Sequence, residues 1–470
     1  MKRRPQFLLI NPYIYDFAAY DLWSKPLGLL YIASVLEENG SDVKVIDAMD
    51  RWHPAVLRLQ GLNRPKSRPF GDGHFFKEQV TKPSLVSSVP RKYYRYGMPP
   101  SVLEKEIRRE VETVKPDAIL VTSGMTYWYQ GVHETIRLCK ELVPDVPVLL
   151  GGIYATLFTD HATRTSGADL VIAGEGERTI LPALSKLTGF EYTRTYSSHD
   201  DFPKPAYHHY PTLEYAAMMT TRGCPYSCSF CATHSFTEHF NRRRVSSVVE
   251  EIAFYRQHRD IRNITFYDDA LFVNADAHIK PILREVIARH IKVHFHTPNG
   301  LFARLIDEEL ADLLVASGFK TIRLSYETKN IERQQQMRKV TDHDLEKALE
   351  RLQHAGFPSR DAVVYLIMGL PGQTPFEVEE SIQYVHELGA RVSLSSFSPI
   401  PHTEEWNKAI ELFQLPADEP LLTNKSIYPL KHDGFTMEDF ERLKTVATRG
   451  NRRVRDSVES ATISDYNVYA

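Results

Sequence analysis

The chain has 470 residues, 42% hydrophobic and 25% charged, with 23 glycines and 28 prolines. That is a globular composition, neither disordered nor collagen-like, and its length calls for two domains plus a tail rather than one core. Fifty-seven basic residues against 60 acidic ones leave a formal charge of −3, which argues against a protein that lives on nucleic-acid phosphates.

The start, MKRRPQFLLINPYIYDF, has an apolar run too short for a signal-peptide core and no small-residue cleavage site after it. The longest weakly polar stretch, Pro147–Phe158, falls short of the roughly 18–20 residues that span a bilayer. A soluble cytoplasmic protein with reduced thiols is expected, without a transmembrane segment.

Phe7–Ile10 reads as a buried strand, Leu27–Glu38 as a helix ended by Asn39-Gly40, and Val43–Ile46 as a second strand. Residues 51–100 break the pattern with Pro, Arg, Lys and aromatics. The segment is too long for an ordinary connection, so it is a functional insertion or a poorly ordered excursion, and its aromatics favour packing. Strands follow at Ala118–Thr122, Val146–Leu150 and Leu170–Ala173, with helices at Gln130–Leu142 and Glu177–Leu187. Continuous apolar strands separated by helices imply a doubly wound parallel sheet, with ligands beyond the carboxyl ends of its strands. Residues 1–195 are assigned to this α/β domain, and 196–213 to a polar, Pro-containing linker.

A second alternation follows. Strands are expected at Ala216–Thr221, Ile264–Tyr267, Val293–His296, Thr321–Ser325, Ala362–Met368 and Val392–Phe397. Helices are expected at Ser246–Gln257, Ala277–Arg289, Asp307–Ser317, Thr341–Ala355 and Pro375–Leu388. Six strand–helix units over 214–405 predict a partial (β/α)6 barrel, with chemistry at the carboxyl ends of its strands. Residues 406–470 form a small, mainly helical C-terminal region, including a basic helix at Met437–Val454.

Three of the four cysteines stand in Cys224-Pro-Tyr-Ser-Cys228-Ser-Phe-Cys231, spaced C-x3-C-x2-C. Thiolates this close in a reducing compartment hold a metal or cluster. Zinc with His234 as fourth ligand is one reading, as in a zinc-stabilised binding protein; a cubane with one open iron is the other. The fourth, Cys139, sits on the apolar face of a helix and reads as an inert buried thiol.

The cysteine segment resembles the signature of the radical SAM superfamily. The resemblance implies that Cys224, Cys228 and Cys231 ligate a [4Fe–4S] cluster whose open iron takes S-adenosylmethionine. An electron delivered by a donor such as flavodoxin or ferredoxin then gives a 5′-deoxyadenosyl radical. Carried over by position, Phe230 covers the adenine region. Asp268 and Asp269 follow the second strand near the methionyl amine, and Asn299 follows the third. Ser325 and Glu327 end the fourth strand, and Gly369 to Pro371 form an adenine-packing loop after the fifth.

The first domain resembles the cobalamin-binding domain of cobalamin-dependent radical SAM enzymes. The matching pieces include Gly28, Ser123-Gly124, Gly151-Gly152 and Glu175-Gly176. Small residues there would let a flat macrocycle lie across the sheet edge. The D-x-H-x-x-G histidine pattern is absent, as it is from many radical SAM relatives. The resemblance as a whole covers about 5–405 and implies methylation of an unactivated carbon in a small-molecule, lipid or peptide substrate. The alternatives are a cobalamin-free cyclase, oxidase or C–C coupling enzyme, and a methylthiotransferase. The last needs extra cysteines in the first domain, which offers only Cys139.

Overall fold

The computed structural model describes residues 3–237, 239–337, 339–427 and 434–456, so the end of the expected C-terminal region lies outside the described residues. The chain divides into two compact units: Met1–Met218 with Ser235–Glu238 and Pro416–Asn424, and Met219–His234 with His239–Leu415 and Lys425–Ala470.

The first unit is built on strands β1 (Gln6–Asn11), β3 (Asp42–Asp47), β6 (Ala118–Val121), β7 (Val148–Leu150) and β8 (Leu170–Val171). They pair in parallel in the order β3-β1-β6-β7-β8. Helix α1 (Leu27–Glu38) joins β1 to β3, and α4 (Tyr129–Leu142) joins β6 to β7. Phe7, Leu8, Leu9 and Ile10 are fully buried, as expected of a strand covered on both faces. Because β1 lies between β3 and β6, the winding reverses there. A doubly wound sheet opens its ligand crevice at such a reversal, beyond the carboxyl ends of the two strands.

The 51–100 segment is ordered. After the short helix α2 (Pro54–Leu59), β4 (Lys77–Val80) and β5 (Tyr93–Tyr96) pair antiparallel, and β5 also pairs with β2 (Ile14–Asp16), in the loop that follows β1. A buried Arg51 ties the insertion down. Its Nε donates to Asp21 at 2.6 Å and its Nη2 to the Gly71 carbonyl at 2.5 Å. Sequence reading also misses the amphipathic helix α3 (Pro100–Val114), which buries only Leu103 and Ile107. Helices α5 (Ile153–Leu157), α6 (Thr159–Thr165) and α7 (Gly176–Thr188) follow, and β9 (Tyr215–Met218) ends the main run of the unit.

The second unit opens with a small hairpin, β10 (Thr221–Arg222) with β11 (Asn241–Arg242), enclosing the cysteine loop. It then alternates helices and strands: α8 (Val245–His258), β12 (Asn263–Phe266), α9 (Ile279–Ala288), β13 (His294–His296), β14 (Leu301–Phe302) and α10 (Glu308–Ser317). There follow β15 (Phe319–Thr321), β16 (Arg323–Glu327), α11 (Ile331–Met337), α12 (Asp342–His354), β17 (Val363–Met368), α13 (Pro375–Glu387) and β18 (Arg391–Ser396). Strand β13 pairs in parallel with β12 and β15, and β14, β16, β17 and β18 pair in parallel in that order, the arrangement of a partial barrel. Asp307 caps α10, a Thr341–Asp344 capping box opens α12, and Thr374 caps α13 ahead of Pro375.

Two expected strands of the second alternation differ from the structure. The first stops at Met218 because Thr220 and Thr221 turn onto a carboxylate described below. The fourth breaks at Ile322, between β15 and β16. Last come α14 (Glu404–Phe413) and the basic helix α15 (Met437–Asp456). Asn451 on α15 accepts from the Val392 N–H at 2.7 Å and donates to its carbonyl at 2.8 Å, so this helix covers edge strand β18.

Candidate functional site

None of the three clustered thiols is bridged. Cys224 is buried against Ala270, Val273 and Phe302; Cys228 is half-buried and Cys231 exposed. Burial pushes the Cys224 thiol up to about 11, with further contributions from the charges of Cys228, Cys231 and Asp269. Burial also raises Cys228, against the pull of Lys339. The three sulfurs thus lie within mutual electrostatic reach. Held as free thiolates, the buried Cys224 and Cys228 would be costly, and binding to iron removes that cost. The donor set fits a cluster with three protein ligands. The His234 Nε2 is engaged 3.1 Å from the Tyr226 carbonyl oxygen. Cys139 is fully buried, and burial takes its thiol to about 12, in line with an inert role.

Phe230 packs against Ile367, Leu370, Met337 and Phe397. Above its ring, 5.4 Å from the centroid, stands the ammonium of Lys339, which is also 5.3 Å from the Phe302 ring centroid. Lys339 donates to Glu327 Oε1 at 2.8 Å, in an ion pair that is almost fully buried. Burial opposes the ammonium, but Glu327 and the nearby thiols more than offset it and hold its pKa above the ordinary value. Glu327 has φ of +78°, at a register shift between Ser325 and Glu327 in the pairing of β16 with β17. A left-handed conformation at a residue with a side chain costs on the order of 1–3 kcal/mol, which the surrounding structure must hold in place. On the other side of the loop, Arg304 lies 4.4 Å from the Tyr226 ring centroid. Two cations therefore flank a loop that would carry a negatively charged cluster. Nothing in the sequence marks Lys339, a lysine in a polar run, as part of this site.

The remaining positions separate. Asp268 is buried, and its Oδ1 accepts from the backbone N–H and hydroxyl groups of both Thr220 and Thr221 at 2.6–3.0 Å. Its carboxylate closes the turn after β9, while Oδ2 takes only one contact, from the Thr220 N–H at 3.2 Å. Asp269 is free of that duty. It reaches solvent from an enclosed position, and desolvation and then the Asp268 charge raise its carboxyl to about 6. Asn299 donates to the carbonyls of Tyr267 and Asp268 at 3.0 and 3.2 Å. Ser325 donates to the Leu301 carbonyl at 3.0 Å. Gly369 has φ of +91°, and a Cβ there would lie 2.8 Å from Phe440 Cζ, so packing of α15 requires a glycine here. Gln373 staples the same loop by accepting from the Gly369 N–H at 2.7 Å, and the Pro371 carbonyl accepts from Arg333 at 3.4 Å.

In the first unit, the Ser123 hydroxyl donates to the Gly151 carbonyl at 2.7 Å. Gly152 has φ of +96°, and a Cβ on it would lie 2.3 Å from the Ser123 carbonyl oxygen; one on Gly124 would lie 2.9 Å from the Trp128 ring. These glycines are required by the protein's own packing. Gly28 differs, since a Cβ on it would meet nothing within 4 Å, and on Gly151 nothing nearer than 3.8 Å; Gly174 also faces open space, though its φ of +76° itself favours glycine. Bare backbone facing open space at strand and helix ends fits a broad flat ligand. Glu175 stands at the N-cap position of α7 without a side-chain capping bond and pairs with Arg178 at 2.7 Å, and a Cβ on Gly176 would press on Ile32 at 3.3 Å.

A partial barrel whose opening loop presents three unbridged thiols, accompanied by a doubly wound unit with bare strand ends, defines the class: a radical SAM enzyme with a corrinoid-type domain. Residues 218–385 match the family model of the Radical SAM superfamily, and residues 93–184 match that of the B12 binding domain. The chain therefore carries a radical SAM domain and a B12 binding domain. It is 24% identical over 470 residues to the cytidylyl-2-hydroxyethylphosphonate methyltransferase of Streptomyces wedmorensis, covering 86% of this chain and 81% of that one. It is 22% identical to the anaerobic magnesium-protoporphyrin IX monomethyl ester cyclase of Rubrivivax gelatinosus, over 66% of this chain and 62% of that one. In fold it is similar to the radical S-adenosylmethionine methyltransferase TsrM of Kitasatospora setae, solved with cobalamin and a [4Fe–4S] cluster bound. The TM-score is 0.64 at 16% identity, covering 97% of this chain and 100% of that one. Among the described residues no helix is long and apolar enough to cross a membrane.

Proposed function

We propose that this protein catalyses cobalamin-dependent methylation of an unactivated carbon in a small-molecule substrate. The observation that carries the reading is the set of three unbridged thiols, Cys224, Cys228 and Cys231, within electrostatic reach of one another in a radical SAM domain. When bound, the cluster and S-adenosylmethionine supply a 5′-deoxyadenosyl radical, and cobalamin supplies a transferable methyl group. The three cysteines hold the cluster. Phe230, with Ile367 and Leu370 behind it, offers an apolar wall to the adenine. Asp269 and Asn299 offer acceptor oxygens for an amine or ribose hydroxyls, and Lys339 offers a cation for a carboxylate. Glu327 keeps Lys339 charged and aimed. Gly28, Gly151 and Gly174 leave the sheet edge clear for the corrin ring.

Methyl transfer is favoured over cyclisation by the methyltransferase relative, which matches over more of both chains than the cyclase does. An electron donor of the flavodoxin or ferredoxin type would reduce the cluster. The test is anaerobic turnover with methyl-labelled S-adenosylmethionine. Methyl transfer predicts 5′-deoxyadenosine, S-adenosylhomocysteine and labelled product together. Formation of 5′-deoxyadenosine alone, with cobalamin bound, would contradict the methylation reading.

A further inference from the structure

Away from the cysteine loop, the first unit holds a second convergence of metal-type donors. Glu37 lies in the last turn of α1, and His208 and His209 lie on a short 3-10 turn, Tyr207–His209. Both imidazoles aim Nε2 at the same oxygen, Glu37 Oε1, at 3.0 and 2.9 Å, and the three donor atoms lie within 4.8 Å of one another. Successive side chains on a 3-10 turn ordinarily point about a third of a turn apart. Here the two rings lie side by side, their centroids 4.3 Å apart.

The backbone that carries them is fixed from both sides. The Ala206 N–H donates to the Leu30 carbonyl at 3.1 Å, and the Ser34 hydroxyl donates to the Lys204 carbonyl at 2.5 Å. The Tyr207 hydroxyl is hydrogen-bonded to both the carbonyl and the N–H of Ala217 at 2.8 Å, and Tyr210 donates to Asp47 at 2.7 Å. The donors are therefore preorganised by contacts that involve none of them. Burial works against the Glu37 carboxylate, but hydrogen bonds from His209 and His208 hold its pKa below the ordinary value.

We propose that Glu37, His208 and His209 form a binding site for one divalent transition-metal ion, of which zinc is the best-suited occupant. Two imidazole nitrogens and one carboxylate oxygen make a borderline donor set that suits zinc. Metal–ligand bonds of about 2.0–2.2 Å in tetrahedral geometry need donors about 3.4 Å apart. Each imidazole nitrogen therefore has only a few tenths of an ångström to retreat from the Glu37 oxygen. His208 is exposed, its side chain 56% accessible, which leaves a side open for a water as fourth ligand. The ion would clip segment 204–210 to α1 and act as a structural pin rather than in the radical chemistry.

The test uses the full-length protein reconstituted with its cluster, titrated with zinc, desalted, and assayed for zinc and iron by mass spectrometry. One zinc per chain is expected in addition to the iron, and the same zinc is expected in the C224A/C228A/C231A variant, which has no thiol competitor. H208A/H209A should lose the zinc while keeping the cluster absorption and S-adenosylmethionine cleavage. Glu37→Gln should weaken zinc binding roughly tenfold or more, about 1.4 kcal/mol per tenfold. Zinc should also raise the thermal midpoint of the parent and not of H208A/H209A. Zinc retained by H208A/H209A, or absent from the triple-alanine variant, overturns the proposal.

Discussion

The two cofactor-binding regions are written in opposite ways. The cysteine loop of the second unit announces itself by what it contains: three soft donors and an aromatic. The strand edge of the first unit is defined by what it lacks. Glycines alone cannot say whether a ligand or the protein requires them, and only the structure separates the two cases. Gly152 and Gly124 are glycine because Ser123 and Trp128 crowd them, whereas Gly28 and Gly174 face open space. A metal cluster is thus legible in sequence, while a macrocycle's bed must be read from what a Cβ would meet.

The largest expected effect comes from the donors. Cys228→Ala should remove the sulfur-to-iron charge-transfer absorption and reduce S-adenosylmethionine cleavage to background, without disturbing cobalamin binding by the first unit. Loss of both together would break the separation drawn here. Next is Lys339→Met, which leaves the Glu327 carboxylate buried and unpaired. It should cost about 3–5 kcal/mol of stability in urea unfolding. The K339M/E327Q pair should cost clearly less than the sum of its singles, as a double-mutant cycle would show. Gly152→Ala should follow at roughly 2–4 kcal/mol, because it forces a left-handed backbone and a collision with Ser123.

Acid should act on both units through buried neutral imidazoles. Desolvation, and then His161, lowers His133 in the first unit from 6.5 to about 4, and burial holds His296 in the second well below its ordinary value. Between these values and 6.5 each of these two imidazoles binds more protons in the unfolded chain than in the folded one, so their contribution to stability rises with pH across that window, against the opposite contribution of the raised Asp269 carboxyl. The imidazole contribution should be fully present above pH 6.5 and fall by about 1–3 kcal/mol in all towards pH 4, read from urea midpoints. A flat profile would contradict the buried neutral assignment. The smallest effect sharpens the comparison most: Gly28→Ala should leave stability unchanged or raise it by less than about 1 kcal/mol, since it meets nothing and favours the helix. Yet it should weaken cobalamin binding roughly tenfold.

Much of the fold follows from periodicity. The parallel sheet of the first unit and the strand–helix alternation of the second are set by apolar runs that must be buried on both faces. What the pattern hides is set by side chains acting at a distance along the chain. Asp268 ends β9 from 48 residues beyond Thr220. The antiparallel strands of the 51–100 insertion depend on a partner, β2, that lies before the insertion begins. In the candidate site, the cysteines and Phe230 are legible because their chemistry is local. Lys339 is not, because its role comes from the fold that carries it over the Phe230 ring. Asp268 and Gly369, singled out in sequence as ligand-facing positions, also carry structural duties that the sequence does not show, as a turn clasp and a seat for Phe440.

The most direct test of the account is the metal content of the chain after anaerobic reconstitution with iron, sulfide and hydroxocobalamin, followed by desalting. About four iron atoms and one cobalt per chain are predicted, with the iron lost in C224A/C228A/C231A and the cobalt kept. Zinc in place of iron at the cysteine loop, or iron without cobalt at saturating hydroxocobalamin, would contradict it.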